Sequence, residues 1–105
     1  MEEVTKINLA NGRKYLEGYL NVDNLSMNPN EKADEVADIF TYDNDSFKDK
    51  IEEIRLHHFM MYVLPEEAEI LFKRWYDWLK EGGILIIETS HAQRIANMIM
   101  RDIRL

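Results

Sequence analysis

Residues 65–88 constrain the fold more than any other segment, because they contain a helix signal, a Gly-Gly turn and an apolar run in succession. Pro65 suits the first position of a helix, where its missing N–H costs nothing, and an apolar stripe of helical period follows it. Gly82 is predicted to end this helix in a left-handed conformation. Residues 84–87 form a continuous apolar run, typical of a parallel strand covered on both faces. A helix that leads into a buried strand indicates an α/β domain.

The rest of the chain alternates short apolar runs with polar turns, which is typical of βα units and a parallel sheet. The first two runs are so close in sequence that only a single helical turn, around Arg13 to Leu16, fits between them. Asn44 and its neighbours are predicted to cap a short helix from Phe47, and Ser90 to cap a last amphipathic helix. The predicted strands are residues 6–9, 19–22, 35–40, 54–58 and 84–87. The main elements follow the order β-β-β-β-α-β-α in one domain, residues 1–105.

Charge and composition narrow the functional classes. The chain has 20 acidic and 13 basic residues and a formal charge of −7, which repels phosphate backbones, so nucleic acid is not an expected partner. It has no cysteine, and therefore no disulfide or thiolate metal site is expected. Residues 1–6 do not resemble a signal sequence, and no apolar run approaches the roughly 20 residues that span a bilayer. We therefore expect a cytoplasmic protein without a membrane partner.

Five segments occur in the order and approximate spacing of a known superfamily. They are Ile7-Asn8-Leu9-Ala10-Asn11-Gly12, Leu16-Glu17-Gly18-Tyr19-Leu20-Asn21-Val22-Asp23, Ala37-Asp38-Ile39, Ile54-Arg55-Leu56-His57-His58-Phe59-Met60 and Leu79-Lys80-Glu81-Gly82-Gly83-Ile84-Leu85-Ile86-Ile87-Glu88. On these segments the chain resembles class I S-adenosylmethionine-dependent methyltransferases. The resemblance implies a Rossmann-like, mostly parallel sheet of about five strands with flanking helices. It also implies S-adenosylmethionine as the cofactor and a methyl acceptor that the sequence does not identify.

The superfamily sheet has seven strands, whereas the resemblance ends with the fifth strand and the helix after it. The antiparallel pair that closes the family sheet is therefore expected to be absent. An open apolar edge favours pairing with another chain, so a homodimer through the fifth-strand edge is one expectation. A truncated sequence is the alternative explanation, and the sequence favours neither.

The resemblance also implies where a cofactor would bind. The loop after the first strand would approach the methionine part, the acid after the second strand would accept bonds from the ribose hydroxyls, and Asp38 would face the adenine amino group. The implied cofactor-binding residues are Ala10, Asn11, Gly12, Asp23, Asp38 and His57. His58 is the candidate catalytic residue near the substrate, as a general base. Each residue also has a simpler interpretation, as a turn residue, a solvated acid or a histidine that ends a strand.

Two departures from the family pattern bear on function. Ala10 and Asn11 replace the family's Gly and Cys; the added methyl group is tolerated if φ of Ala10 is negative, and Asn11 can adopt a left-handed conformation and donate a hydrogen bond. Met61 and Tyr62 stand where the family has Glu and His, which removes a carboxylate and an imidazole from the substrate side. We therefore expect weakened cofactor binding and place transfer activity in greater doubt.

The sequence leaves three functional hypotheses. The first is a methyltransferase-like protein that binds S-adenosylmethionine and transfers its methyl group. The second is a shortened, non-catalytic relative that acts as a dimerising or interaction module. The third is a domain for another nucleotide such as NAD, which the lack of a Gly-x-Gly-x-x-Gly motif disfavours. No metal site is expected, because the adjacent His57 and His58 would point to opposite faces of a strand.

Overall fold

The computed structural model describes residues 3–24, 32–57 and 59–88 of the chain. Within them, the strands are β1 (Lys6–Leu9), β2 (Leu20–Asp23), β3 (Glu35–Val36), β4 (Ile51–His57) and β5 (Leu79–Glu88), and the α-helix is α1 (Pro65–Trp78). Single 3-10 turns lie at Asp45–Phe47 and Met60–Tyr62. The strands form one parallel sheet in the order β3-β2-β1-β4-β5, which confirms the predicted α/β class. The direction of strand addition reverses between β1 and β4.

The start and the buried face of α1 agree with the sequence. Pro65 lies in the first turn, where the Glu67 carboxylate accepts a hydrogen bond from Leu64 N at 2.9 Å. On the wet face, the predicted pair of Lys73 and Glu69 forms at 3.0 Å. The buried side chains of the helix are Ala68, Leu71, Phe72, Trp75 and Trp78. The prediction of an amphipathic helix that packs on the sheet is thereby confirmed.

The end of α1 differs from the prediction. Gly82 has a left-handed φ of 80°, but the helix already ends at Trp78 and β5 follows directly. The amides of Asp49 and Lys50 donate to the carbonyl oxygens of Asp77 and Trp78, each at 3.1 Å. Because these carbonyls at the helix end receive donors from a distant segment, the helix needs no glycine cap. The prediction that Gly82 ends the helix is wrong.

Strand alternation gives the sheet two chemically different faces. Ile7 of β1 is in register with Leu20 of β2 and with Ile54 of β4, and registered side chains share a face. This apolar row belongs to the main core, whose strand residues are Ile7, Leu9, Val22, Ile51, Ile54 and Leu56. The opposite face carries Asn8, in register with Asn21 and Arg55. Both asparagines are fully buried, so the second face is also covered, but around polar groups.

The boundaries of β3 and β4 shift for identifiable reasons. β3 ends at Val36 instead of residue 40, because Asp38 Oδ1 accepts a hydrogen bond from Phe40 N at 2.9 Å and holds the chain in a turn. β4 begins at Ile51, ahead of the predicted residue 54, because Ile51 pairs with Leu79 of β5. β2 lies one residue later than predicted.

The segment before β4 contains a turn where a short helix was predicted. Asn44 Oδ1 accepts a hydrogen bond from Ser46 N at 2.9 Å and caps a 3-10 turn that ends at Phe47. Asp49 then has a φ of 60°, which redirects the chain into β4. The prediction of a helix from Phe47 is therefore wrong, although the predicted capping by Asn44 occurs.

β5 is less covered than the apolar run predicts. Ile84 is 50% exposed, and residues 85–87 are half-buried rather than buried. Within the described residues β5 pairs only with β4, so it forms one edge of the described sheet. The predicted helix from Ser90 lies outside the described residues. None of the helices in the described part has the length and apolar character needed to cross a membrane.

Candidate functional site

The carboxyl ends of β1 and β2 are joined by a hydrogen bond from a loop amide to a carboxylate. Asp23 Oδ2 accepts from Gly12 N at 2.9 Å, and Asp23 Oδ1 accepts from Asn24 N at 2.8 Å. An ionised carboxylate has about four acceptor positions, so Asp23 can accept further bonds from a ligand. The predicted site residues Gly12 and Asp23 are thus brought together.

The loop after β1 contains left-handed residues, but Asn11, to which the sequence analysis assigned this conformation, is not one of them. Ala10 and Gly12 have left-handed φ values of 53° and 49°, whereas Asn11 between them does not. The condition of a negative φ for Ala10 is therefore not met, and this conformation costs an alanine about 1–2 kcal/mol. Ala10 N donates to Val22 O at 2.7 Å, which helps to hold it. Backbone strain of this kind often occurs at functional sites.

Asn11 anchors the same loop from its buried side. The residue is 1% exposed, and its Nδ2 donates to Gly12 O at 2.9 Å and to Lys32 O at 3.0 Å. Both of these hydrogen bonds are made within the chain, so the predicted role of Asn11 toward a cofactor stays a prediction. Its Oδ1 is buried and has no partner among the described residues. Since an unpaired buried carbonyl oxygen is costly, this atom is suited to accept a hydrogen bond from a ligand.

A buried asparagine network, which was not predicted, supports the connection between β1 and β2. The Asn21 side chain makes five hydrogen bonds, with Asn8, with the backbone of Leu16 and Tyr19, and with Asp34, at 2.8 to 3.0 Å. Asn8 Nδ2 also donates to a backbone carbonyl of the connection at 2.7 Å. The connection is therefore fixed to the sheet by amides rather than by apolar packing. A polar residue in the middle of each of two adjacent strands was the available signal.

An ion pair and the aromatic ring of Tyr19 lie on the same face of the sheet as the asparagines. Arg55 Nε donates to Glu53 Oε2 at 2.7 Å, and the hydroxyl of Tyr19 also bonds to Glu53. These two hydrogen bonds lower the pKa of Glu53, and the bond from Arg55 has the larger effect. The ammonium group of Lys6 and the guanidinium of Arg55 each lie 5.7 Å from the centre of the Tyr19 ring. The connection thus contributes to the cover of this face through Tyr19.

A carboxylate, an ammonium group and an imidazole meet across the strand-order reversal. Lys14 Nζ donates to both oxygens of Glu88 at 2.9 and 3.0 Å, and His57 Nδ1 lies 2.7 Å from Glu88 Oε2. Hydrogen bonds, first from Lys14 and then from His57, lower the pKa of Glu88 to about 2. Because an ionised carboxylate can only accept, the proton of this contact is on His57 Nδ1.

His57 is the only predicted site residue in this group. Its side chain is 9% exposed, and its Nε2 is buried and has no partner among the described residues. Sequence reasoning missed Lys14 and Glu88. The signal for Glu88 was its place directly after the apolar run, since parallel register then sets it opposite His57. Lys14 had no comparable signal.

Asp38 occupies a position at the same edge but is engaged in a local turn. Its carboxylate accepts from Phe40 N, and its carbonyl oxygen accepts from the amides of Thr41 and Tyr42 at 3.1 and 2.9 Å. The preceding residue, Ala37, donates from its amide to Asp23 O at 3.1 Å, which ties this turn to the end of β2. Asp38 is exposed, so its second carboxylate oxygen is accessible to a ligand.

His58 lies outside the described residues, so its predicted role stays a prediction. Within the residues that are described, no group of three or more His, Cys, Asp or Glu is arranged to hold a metal ion.

Comparison of the chain with protein-family models and with curated proteins finds no family and no relative that matches it.

Proposed function

We propose that this chain binds S-adenosylmethionine at the carboxyl ends of β1 and β2 and transfers its methyl group to an acceptor. The observation that carries the proposal is the bond between Gly12 N and Asp23 Oδ2, which joins the loop and the acid that the resemblance implies for the cofactor. The strand order supports it, because parallel sheets bind ligands beyond the carboxyl ends of their strands, where the order reverses.

The residues present suit the proposed ligand. Asp23 retains acceptor positions for ribose hydroxyls, and Asp38 has an accessible oxygen for an adenine amino group. The buried Asn11 Oδ1 has no partner among the described residues and suits a ligand N–H or ammonium donor. The donor and acceptor types of this edge therefore match a nucleoside that carries an amino acid.

The cofactor, when bound, would supply an activated methyl group that an oxygen, nitrogen or carbon nucleophile can accept. Positioning the two reactants supplies most of the rate in such a transfer, so the chain needs few chemically essential residues. The buried Asn11 side chain anchors the loop backbone through its bonds to Gly12 O and Lys32 O. His57 lies at the other side of the strand-order reversal. Its Nε2 is buried, has no partner among the described residues and is suited to accept a proton.

Calorimetric titration with S-adenosylmethionine and S-adenosylhomocysteine tests this proposal, with NAD as the control ligand. Saturable binding that Asp23→Ala weakens by at least about tenfold is expected, since a charge-assisted bond contributes about 1.5–3 kcal/mol. Asp45→Ala is the matched control, because it removes an exposed acid of the same type far from the loop along the chain. Circular dichroism checks that both variants fold. Equal affinities of Asp23→Ala and wild type, or no binding up to millimolar cofactor, would contradict the proposal.

The second candidate function is assembly through the edge of β5. The exposed Ile84 on a strand that pairs with β4 alone, within the described residues, favours it. Edges of this kind pair readily with other chains. Ile84→Lys should then weaken self-association in sedimentation experiments, whereas Ile70→Lys, which alters an exposed isoleucine of α1, should not. A wild-type chain that sediments as a monomer at high concentration would refute this candidate.

A further inference from the structure

We infer that Lys14 and His57 form a recognition site for the carboxylate of a small-molecule ligand, and that Glu88 occupies this site in the free protein. The inference deepens the proposed function, on which the assignment of the ligand to the methyl-transfer reaction rests. The carboxylate belongs either to the amino acid part of the cofactor or to the methyl acceptor, and the chemistry of recognition is the same.

The contacts around Glu88 have the geometry of a bound carboxylate. Lys14 donates to both oxygens at 2.9 and 3.0 Å, and His57 donates from Nδ1 to one of them at 2.7 Å. These distances are those of charge-assisted hydrogen bonds. The donors come from the β1–β2 connection and from the end of β4, on the two sides of the strand-order reversal. Ligands of parallel α/β sheets bind at this position.

Exposure separates His57 from the two charged side chains, and the position of Glu88 in the sheet distinguishes it from the two donors. The His57 side chain is 9% exposed and lies at the bottom of the site, whereas the side chains of Lys14 and Glu88 are 49% and 48% exposed. His57 Nε2 is buried and unpartnered among the described residues, which leaves one more polar atom of the ring for a ligand. Glu88 is the last residue of β5, at the edge of the described sheet, so its side chain can leave without disturbing the core. His57 is thus a fixed part of the site, whereas the carboxylate of Glu88 can be exchanged for that of a ligand.

Exchange of one carboxylate for another is energetically easy here. Exposed ion pairs contribute little to stability, so Glu88 holds the site only weakly. A ligand carboxylate meets the same two donors, and its apparent affinity is reduced by the fraction of molecules in which Glu88 occupies them. Removal of Glu88 should therefore strengthen carboxylate binding about threefold to tenfold. A merely structural ion pair would give the opposite sign, because its loss would loosen the connection and weaken binding.

Two probes test the inference in the 105-residue chain. The first is acetate, titrated into Glu88→Ala while the His57 ring signals are followed by NMR, with sodium chloride of equal ionic strength as the control. Saturation on the order of 10 mM is expected for so small a ligand, and it should vanish when Lys14→Met is added. The matched control is Glu52→Ala, which removes another half-exposed glutamate paired with a lysine, at 3.4 Å. Absence of saturation in Glu88→Ala would overturn the inference whether or not the cofactor binds.

The second probe identifies the source of the carboxylate. S-adenosylhomocysteine carries the amino acid carboxylate, whereas 5′-methylthioadenosine is the related thioether without it. Tighter binding of the first compound alone to Glu88→Ala assigns the site to the cofactor. Unchanged binding of both, with acetate still saturating the variant, assigns it to the methyl acceptor. Weaker binding of S-adenosylhomocysteine to Glu88→Ala would overturn the inference. Failure of both nucleosides to bind any variant would refute the proposed function alone.

Discussion

Replacement of Asn21 by alanine should destabilise the protein by about 3–5 kcal/mol, a large part of the roughly 5–15 kcal/mol expected for a domain of this size. The Asn21 side chain is fully buried and makes five hydrogen bonds, which join both strands to the connection between them. Each net bond contributes about 0.5–1.5 kcal/mol, and groups left unpaired in the interior add a further penalty. Leu16 N and Tyr19 O are the backbone groups most affected.

Asn8→Ala is the matched comparison for this prediction. Asn8 is equally buried and has the same volume, but its side chain makes only two bonds and its Oδ1 has no partner among the described residues. We expect a cost of about 0–2 kcal/mol, because the two lost bonds are partly offset by removal of an unpaired oxygen. Urea denaturation followed by the fluorescence of the buried Trp75 and Trp78 measures both variants. Equal costs, or a larger cost for Asn8→Ala, would show that the hydrogen bonds do not determine the stability of this region.

Two further predictions concern the β5 edge. Gly83→Ala should destabilise the protein by about 1–3 kcal/mol, since the new Cβ would lie 2.8 Å from a backbone carbonyl oxygen of β4. Gly82→Ala places its Cβ in open space and should cost only about 1 kcal/mol, because of its φ of 80°. Urea denaturation measures both costs, and a larger cost for Gly82→Ala would contradict the packing. The pKa of Glu88, lowered to about 2 chiefly by Lys14, implies stability that is complete above the ordinary value of 4.5 and is lost as the pH falls toward 2. The free energies of unfolding of wild type and Glu88→Gln should therefore converge in that range, and a difference that stays constant with pH would refute the assignment.

The sequence predicted those elements whose signals are local. Pro65 and the apolar stripe identified α1 because helix starts and amphipathic faces depend on residues near in sequence. β1 was predicted with its observed bounds for the same reason. The end of α1 was missed because its last carbonyls are capped by Asp49 and Lys50, which no local pattern announces. β3 was overestimated because the Asp38 turn competes with an extended chain.

The residues of the candidate site that directly follow strands were predictable, whereas those in loops distant along the chain were not. The resemblance placed Gly12 and Asp23 at the candidate site, and a hydrogen bond joins them because parallel strands bring their carboxyl ends to one edge. Lys14 was missed because its contact spans 74 residues of sequence. Ala10 was misjudged because its left-handed φ, in a loop whose amide bonds to Val22 O of another strand, goes against the intrinsic preference of alanine. The side chains at strand ends could therefore be predicted from the sequence, whereas the conformation of the loops could not.

The connection between β1 and β2 also decides which nucleotide the site can hold. Residues 10–19, all of them described, form two turns, closed by the bonds from Lys14 N to Asn11 O and from Tyr19 N to Leu16 O, instead of a helix. A dinucleotide site places its pyrophosphate on the N-terminus of a helix at this position, where backbone amides and the helix dipole bind the charge. Here the ammonium group of Lys14 lies beside the strand-order reversal, and Glu88 already neutralises it. One lysine suits one carboxylate and not a pyrophosphate. We therefore expect NAD to bind neither the wild type nor Glu88→Ala, and saturable NAD binding to that variant would show that the missing helix does not limit the ligand.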